Sequence, residues 1–202
     1  MLTFAGTALA QADRPAHILA FGDSLTAGYG LPDGQGFVPA LEAALRAGGH
    51  DVRVFDGGVS GDTTAGGRAR LDWALSGVPD GKPDLVILAL GANDALRGLS
   101  PAEAEGNLDA MLTTLGERGI PVLLAGMYAP RNMGSDYVSA FDAVHPRLAD
   151  KHDVPLYPFF LDGVAQDPAL NQADGIHPNE KGVAIMVERI TPAVLAALGH
   201  AD

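Results

Sequence analysis

Ser24 lies in PheGlyAspSerLeuThrAlaGly (21 to 28), at the end of the apolar run IleLeuAlaPhe (18 to 21) and a Gly-Asp pair. A serine just past a strand is well placed to be a nucleophile, but a hydroxyl is weak alone. It needs a base, a group that orients the base, and donors for the oxyanion that forms on a carbonyl substrate. The chain offers each of these. AspGlyIleHisPro places Asp174 and His177 three residues apart, so the carboxylate can curl back to the imidazole within one turn. Between the two ends lie ValSerGlyAspThrThr (59 to 64) and LeuGlyAlaAsnAspAlaLeuArgGly (90 to 98), glycine-containing turns that follow apolar runs. Asn93 carries a side-chain amide, a donor worth ~3 kcal/mol to an oxyanion in hydrolases where it has been tested. Gly61 lets a backbone N–H approach a ligand closely.

Taken singly, these residues have plainer readings. Ser24 could cap a helix, His177 could pack beside Pro178, Asn93 could form a turn, and Gly61 could serve backbone freedom alone. Together they favour chemistry. A carboxylate three residues from His177 would fix the Nδ1–H tautomer and leave Nε2 free as a base.

Apolar runs alternate with longer amphipathic stretches, the pattern of βαβ units around a parallel sheet. Strands are expected at 16 to 21, 51 to 55, 84 to 90, 121 to 126 and near 154 to 157, and helices at 37 to 47, 64 to 76, 101 to 118, 136 to 151 and 179 to 198. SerProAlaGlu (100 to 103) combines an N-cap serine, a first-turn proline and an acid at the third position, a helix start with a mechanism behind it. Gly119 and Pro121 close that helix. The fold class predicted is α/β, a three-layer α/β/α flavodoxin-like sandwich on a parallel five-stranded sheet. In such sheets ligands sit outside the carboxyl ends of the strands. The loops carrying Ser24, Gly61, Asn93 and residues 127 to 135 would all emerge there, with AspGlyIleHisPro joining from the connection before the last helix.

The length of 202 residues suits one domain, expected at 13 to 202. Cys 0 excludes disulfides and thiolate metal sites. Twenty-five acidic against 13 basic residues, a net charge of -12, argues against binding a phosphate backbone, which needs a basic face. Nucleic acid is therefore not an expected partner. Residues 1 to 12 read as the remnant of a secretory signal, with AlaLeuAla (8 to 10) as an A-x-A cleavage site but no positively charged start. This predicts a periplasmic or secreted protein, and otherwise a cytoplasmic one. No apolar run reaches the ~20 residues of a membrane-spanning helix, so no stable membrane insertion is expected.

Four blocks, GlyAspSerLeu (22 to 25), GlyValSerGly (58 to 61), GlyAlaAsnAsp (91 to 94) and AspGlyIleHis (174 to 177), resemble those of the SGNH (GDSL) hydrolase family. The likeness runs from about residue 16 to the end. SerGlyAspThrThr (60 to 64), AlaArgLeu (69 to 71), AsnAspAlaLeuArgGly (93 to 98) and ValProLeuTyrProPhePhe (154 to 160) are most similar to its compact bacterial arylesterase, thioesterase I and lysophospholipase group. The resemblance implies Ser24 as nucleophile, His177 as base and Asp174 as its orienter. It implies an oxyanion hole from the N–H of Ser24, the N–H of Gly61 and the Asn93 amide. Ala92 departs from the second Gly often written in the third block. Thr26 stands where the G-x-S-x-G elbow of α/β-hydrolases would have its second Gly, so the two folds are distinct.

The segment 126 to 137 carries Met127, Tyr128, Met133 and Tyr137, an apolar set that could line an acyl pocket or simply pack on the body. The resemblance implies that this loop borders the acyl site. Asp23, Asp62 and Asp94 lie near the site in sequence, but no tight His/Asp ligand spacing accompanies them, so neither a metal nor another cofactor is expected. The expected activity is serine-dependent hydrolysis of lipophilic carboxylic esters or thioesters, small molecules, through an acyl-enzyme. Two rivals remain at this point: a carbohydrate O-acetyl esterase, which would want a polar open cleft, and a non-catalytic binding module on the same fold.

Overall fold

The computed structural model describes residues 14–199; the leader expected at 1 to 12 lies outside the described residues. Five strands form one parallel sheet: β1 (Ala16–Gly22), β2 (Val52–Gly58), β3 (Leu85–Ala89), β4 (Val122–Ala125) and β5 (Leu156–Tyr157). Their spatial order is β2-β1-β3-β4-β5, the flavodoxin-like winding. The helices are α1 (Ser24–Ala27), α2 (Phe37–Ala47), α3 (Thr64–Ser76), α4 (Ala92–Leu96), α5 (Pro101–Glu117), α6 (Ser135–Asp142), α7 (Val144–His152) and α8 (Glu180–Ala197).

The central strands are buried on both faces, as helix-covered parallel strands must be. Alternation sorts their side chains between two cores. Ile18, Ala20, Leu85 and Ile87 join Phe37, Leu41, Ile190 and Val194 from α2 and α8. Leu19, Phe21, Val86 and Leu88 join Leu71, Leu75, Leu108, Leu115 and Leu148 from α3, α5 and α7. This gives the three layers expected.

Register sets the site. Gly22 pairs with Gly58 on one side and with Ala89 on the other. The turns that follow β1, β2 and β3 therefore leave the sheet at one level, and Ser24, Gly61 and Asn93 begin from a common edge. Side-chain space at Gly22 is closed: a Cβ there would meet Thr26 Oγ1 at 2.1 Å and the Ala89 carbonyl at 2.7 Å.

The start of α5 is as expected, with Pro101 in its first turn and Ser100 Oγ accepting the Glu103 N–H at 3.4 Å. Three expectations need correction. β2 runs on through Asp56, Gly57 and Gly58, three residues beyond the expected end at 55. The helix expected over 136 to 151 is two helices, α6 and α7. Pro146 has no N–H to give the Asp142 carbonyl four residues back, which breaks the ladder at this joint. The single turns α1 and α4, which hold Ser24 and Asn93, are additional elements. Among the described residues no helix is long and apolar enough to cross a membrane.

Candidate active site

Ser24 opens α1, where the Asp23 carboxylate caps the turn by accepting the Leu25 N–H at 3.0 Å. This strand-turn-helix geometry leaves Ser24 Oγ facing the segment before α8, 2.9 Å from His177 Nε2. His177 Nδ1 lies 2.7 Å from Asp174 Oδ2. The other oxygen of Asp174 accepts the backbone N–H groups of Ile176 and His177 at 2.9 and 3.0 Å, an Asx turn that explains the three-residue spacing. The His177 N–H, then the His177 ring and the Ile176 N–H, hold the Asp174 carboxyl down at about 2. An ionised Asp174 accepts the hydrogen bond of the His177 Nδ1–H, which keeps the proton on Nδ1 and leaves the Nε2 lone pair toward the serine hydroxyl.

The segment bearing His177 is itself fastened. The Gln172 N–H donates to the His177 carbonyl at 2.7 Å, and the Gln172 side-chain amide donates to the carbonyls of Tyr29 (2.7 Å) and Pro178 (2.9 Å). The Tyr29 ring sits against the imidazole with centroids 4.6 Å apart. Neither Gln172 nor Tyr29 is suggested by the sequence; each acts across long separations that no local pattern encodes.

Facing Ser24 are the turns after β2 and β3. Gly61 has φ +85°, the left-handed region that penalises a Cβ. Among the described residues no hydrogen bond takes up its N–H. The Asn93 amide donates one hydrogen to the Asp62 carbonyl at 2.9 Å, and its nitrogen is a long 3.4 Å from Asp23 Oδ2. That second, weaker hydrogen bond is the one that can be exchanged for a substrate oxygen. Asp94, buried, accepts both the N–H and the hydroxyl of Thr64 at 2.8 and 2.7 Å, tying α4 to the start of α3. Below them His145 Nε2 lies 3.1 Å from the Leu90 carbonyl, and burial lowers its pKa, which keeps the ring neutral and donating. Burial also pushes the Asp23 carboxyl up to about 6, against the pull of the Leu25 N–H.

A cavity of about 650 Å3 opens beside Ser24, Asn93 and His177. Its apolar wall includes Leu96, Met127, Tyr128, Phe159, Leu161 and Ile176. Tyr128 packs on Phe159 with ring centroids 4.8 Å apart. Of the four residues suggested for an acyl pocket, Met127 and Tyr128 line the cavity, while Met133 and Tyr137 do not. Met133 turns toward Gly98, and Tyr137 donates its hydroxyl to the Leu99 carbonyl at 2.9 Å and stacks on Phe141. Both are used to fasten the α4–α5 connection. The wall instead takes Phe159 and Leu161 from the loop after β5, at the end of the apolar stretch that begins at Val154. Gln166, also on the wall, holds φ +65°. Among the described residues no group of three or more His, Asp or Glu is gathered to hold a metal ion.

A serine, histidine and aspartate in line at the carboxyl edge of this sheet, next to an apolar cavity, define a hydrolase of ester bonds. The GDSL-like lipase/acylhydrolase family matches residues 20–185, and the chain belongs to it. Esterase TesA of Pseudomonas aeruginosa is 40% identical over 186 residues, covering 92% of this chain and 91% of that protein. An arylesterase of Vibrio mimicus is 36% identical over 198 residues, covering 98% and 96%. Among solved structures, AlinE4, a SGNH-hydrolase family esterase, is 50% identical with a TM-score of 0.78, covering 93% of this chain and 99% of that one.

Proposed function

We propose that this chain is a serine esterase for lipophilic carboxylic esters or thioesters, with Ser24 as the nucleophile. The observation that carries it is the continuous line Ser24 Oγ, His177 Nε2, His177 Nδ1, Asp174 Oδ2, at 2.9 and 2.7 Å, opening on an apolar cavity. His177 removes the Ser24 proton as Oγ bonds to the substrate carbonyl carbon. The oxyanion is met by the N–H of Ser24, the N–H of Gly61 and the Asn93 hydrogen that lies weakly on Asp23. The Ser24 N–H is available because the first amides of a helix have no partner within it. The imidazolium then gives its proton to the departing alkoxide or thiolate, leaving an acyl-Ser24. Water, deprotonated by His177, attacks that acyl group and releases the acid. Substrate and water balance the reaction without a cofactor.

The cavity lining favours acyl chains over acetyl groups on sugars, and the esterase and arylesterase names of the relatives agree in class. The A-x-A pattern at residues 8 to 10 supports action in the periplasm or outside the cell. A p-nitrophenyl ester series tests the substrate class. Each methylene buried adds ~0.8 kcal/mol, so kcat/KM rises about fourfold per carbon until the cavity is filled. A maximum at acetate, falling with every added carbon, would contradict it.

A further inference from the structure

The geometry points to Arg70 as a positioning residue for the oxyanion hole, acting through Asp62; the inference rests on the Ser24 acyl-enzyme reading. Arg70 lies on α3, away from the cavity, with its side chain only 15% exposed. Its planar guanidinium reaches three separate segments of the active edge. Nε donates to Asp62 Oδ2 at 2.5 Å, Nη1 to the Gly57 carbonyl at 2.9 Å and Nη2 to the Gly22 carbonyl at 2.8 Å. Its carbon sits 4.3 Å over the Phe21 ring. One group therefore holds the end of β1 two residues before Ser24, the end of β2, and the turn that carries Gly61.

From Asp62 the hold passes to the donors themselves. The Asp62 carbonyl accepts the Asn93 amide at 2.9 Å, and the neighbouring Gly61 carbonyl accepts Arg97 Nη2 at 2.7 Å. The Asp62 carboxylate fits because residue 66 is glycine: a Cβ there would meet Asp62 Oδ1 at 2.7 Å. The peptides on the two sides of Asp62 are thus both gripped, one through the Gly61 carbonyl and the other through the Asp62 carbonyl, which holds the backbone next to the Gly61 N–H and the Asn93 amide together. Oxyanion donors act at 2.7–3.1 Å from an oxygen that exists only in the transition state, so loosening this grip reduces turnover more than substrate binding. A lysine supplies a point charge and cannot span three acceptors with a rigid fork.

The test compares Arg70→Lys, Arg70→Met and Asp62→Ala with the full-length enzyme. Three readouts are used: kcat and KM on p-nitrophenyl butyrate per titrated active site, inhibition by butylboronic acid, and the same changes in an Asn93→Ala background. A boronic acid forms a tetrahedral anion on the serine and so reports the donors rather than the pocket. The expected result is a kcat loss of about 10²-fold with KM within about threefold. Boronate binding weakens by a similar factor, and the added loss in the Asn93→Ala background is under about threefold because the two changes disable one device. A merely structural Arg70 would lower the titrated fraction of active sites and leave kcat per site and boronate affinity intact, which would overturn the inference. Full additivity with Asn93→Ala would overturn it as well. Should neither Arg70 variant fold, Asp62→Ala decides by the same criteria. Boronate inhibition that survives Ser24→Ala would instead remove the acyl-enzyme reading on which the inference depends.

Discussion

His177 Nε2 stands 2.9 Å from Ser24 Oγ across 153 positions of chain, and the same imidazole is held through Nδ1 by a carboxylate three residues away. A long-range contact supplies the proton acceptor for the hydroxyl. A local one fixes which nitrogen accepts it.

Asp174→Asn separates the orienting role from the turn. An asparagine oxygen can still accept the Ile176 and His177 N–H groups, so the loop should survive and the melting temperature should change little. Its NH2 would then face Nδ1, forcing the proton onto Nε2, the wrong nitrogen for a base. The expected loss in kcat is about 10³ to 10⁴-fold, as in triads where this change has been made. Activity within tenfold of the parent, in a folded variant, would rule out Asp174 as orienter.

Asn93→Ala should lower kcat by about 10² to 10³-fold with a much smaller change in KM, since its amide bonds an oxygen that becomes anionic only during reaction. Steady-state kinetics on a p-nitrophenyl ester measure both. An effect confined to KM would mean that Asn93 binds the ground state.

The blocks around Ser24, Asn93 and Asp174–His177 were legible because each is local: a residue type, a turn and a fixed spacing. Their convergence on one edge followed from parallel strands, which carry successive loops to the same end. The acyl wall was not legible in the same way. Met133 and Tyr137 are as apolar as Met127 and Tyr128 and lie in one segment, yet a short 3-10 turn at Arg131–Met133 sends them to the α4–α5 connection instead. Arg70 was visible only as part of AlaArgLeu, because its partners Gly22, Gly57 and Asp62 are brought to it by the sheet. Helix length failed at Pro146, where the pattern of apolar residues continues through a missing N–H.

The cavity predicts which side chains set chain-length preference. Replacing Leu96 and Tyr128 together by Ser should flatten the rise in kcat/KM from acetate to octanoate, leaving acetate hydrolysis within about threefold. Met133→Ser, off the wall, should leave the profile as it was. The same series of esters decides, and equal losses on acetate and octanoate in the double variant would show that those residues support the fold rather than the acyl chain.

Asp23 gives a pH dependence of stability with a definite sign. Burial raises its carboxyl from 3.8 to about 6, so the folded state holds that proton more tightly than the unfolded chain does. The stability this contributes is fully present below pH 3.8 and is lost as pH rises through about 6, a change of about 3 kcal/mol. Asp23→Asn keeps an acceptor for the Leu25 N–H and cannot ionise. In urea unfolding at pH 4 and pH 8, the variant should therefore gain on the parent by about 2 kcal/mol across that interval, since the unfolded carboxyl is already partly ionised at pH 4. Parallel curves for the two proteins would contradict the buried, ionising Asp23.

The nucleophile is tested most directly by incubating the enzyme with a fluorophosphonate and mapping the adduct by peptide mass spectrometry. If Ser24 is the nucleophile, one phosphonyl group appears per chain, on Ser24, at a rate that an ester substrate slows, and activity falls in step with labelling. His177→Ala should cut the labelling rate by ~10³-fold or more. An inactivated enzyme with Ser24 unmodified, or a fully labelled Ser24 in an enzyme that still turns over ester, would contradict the assignment.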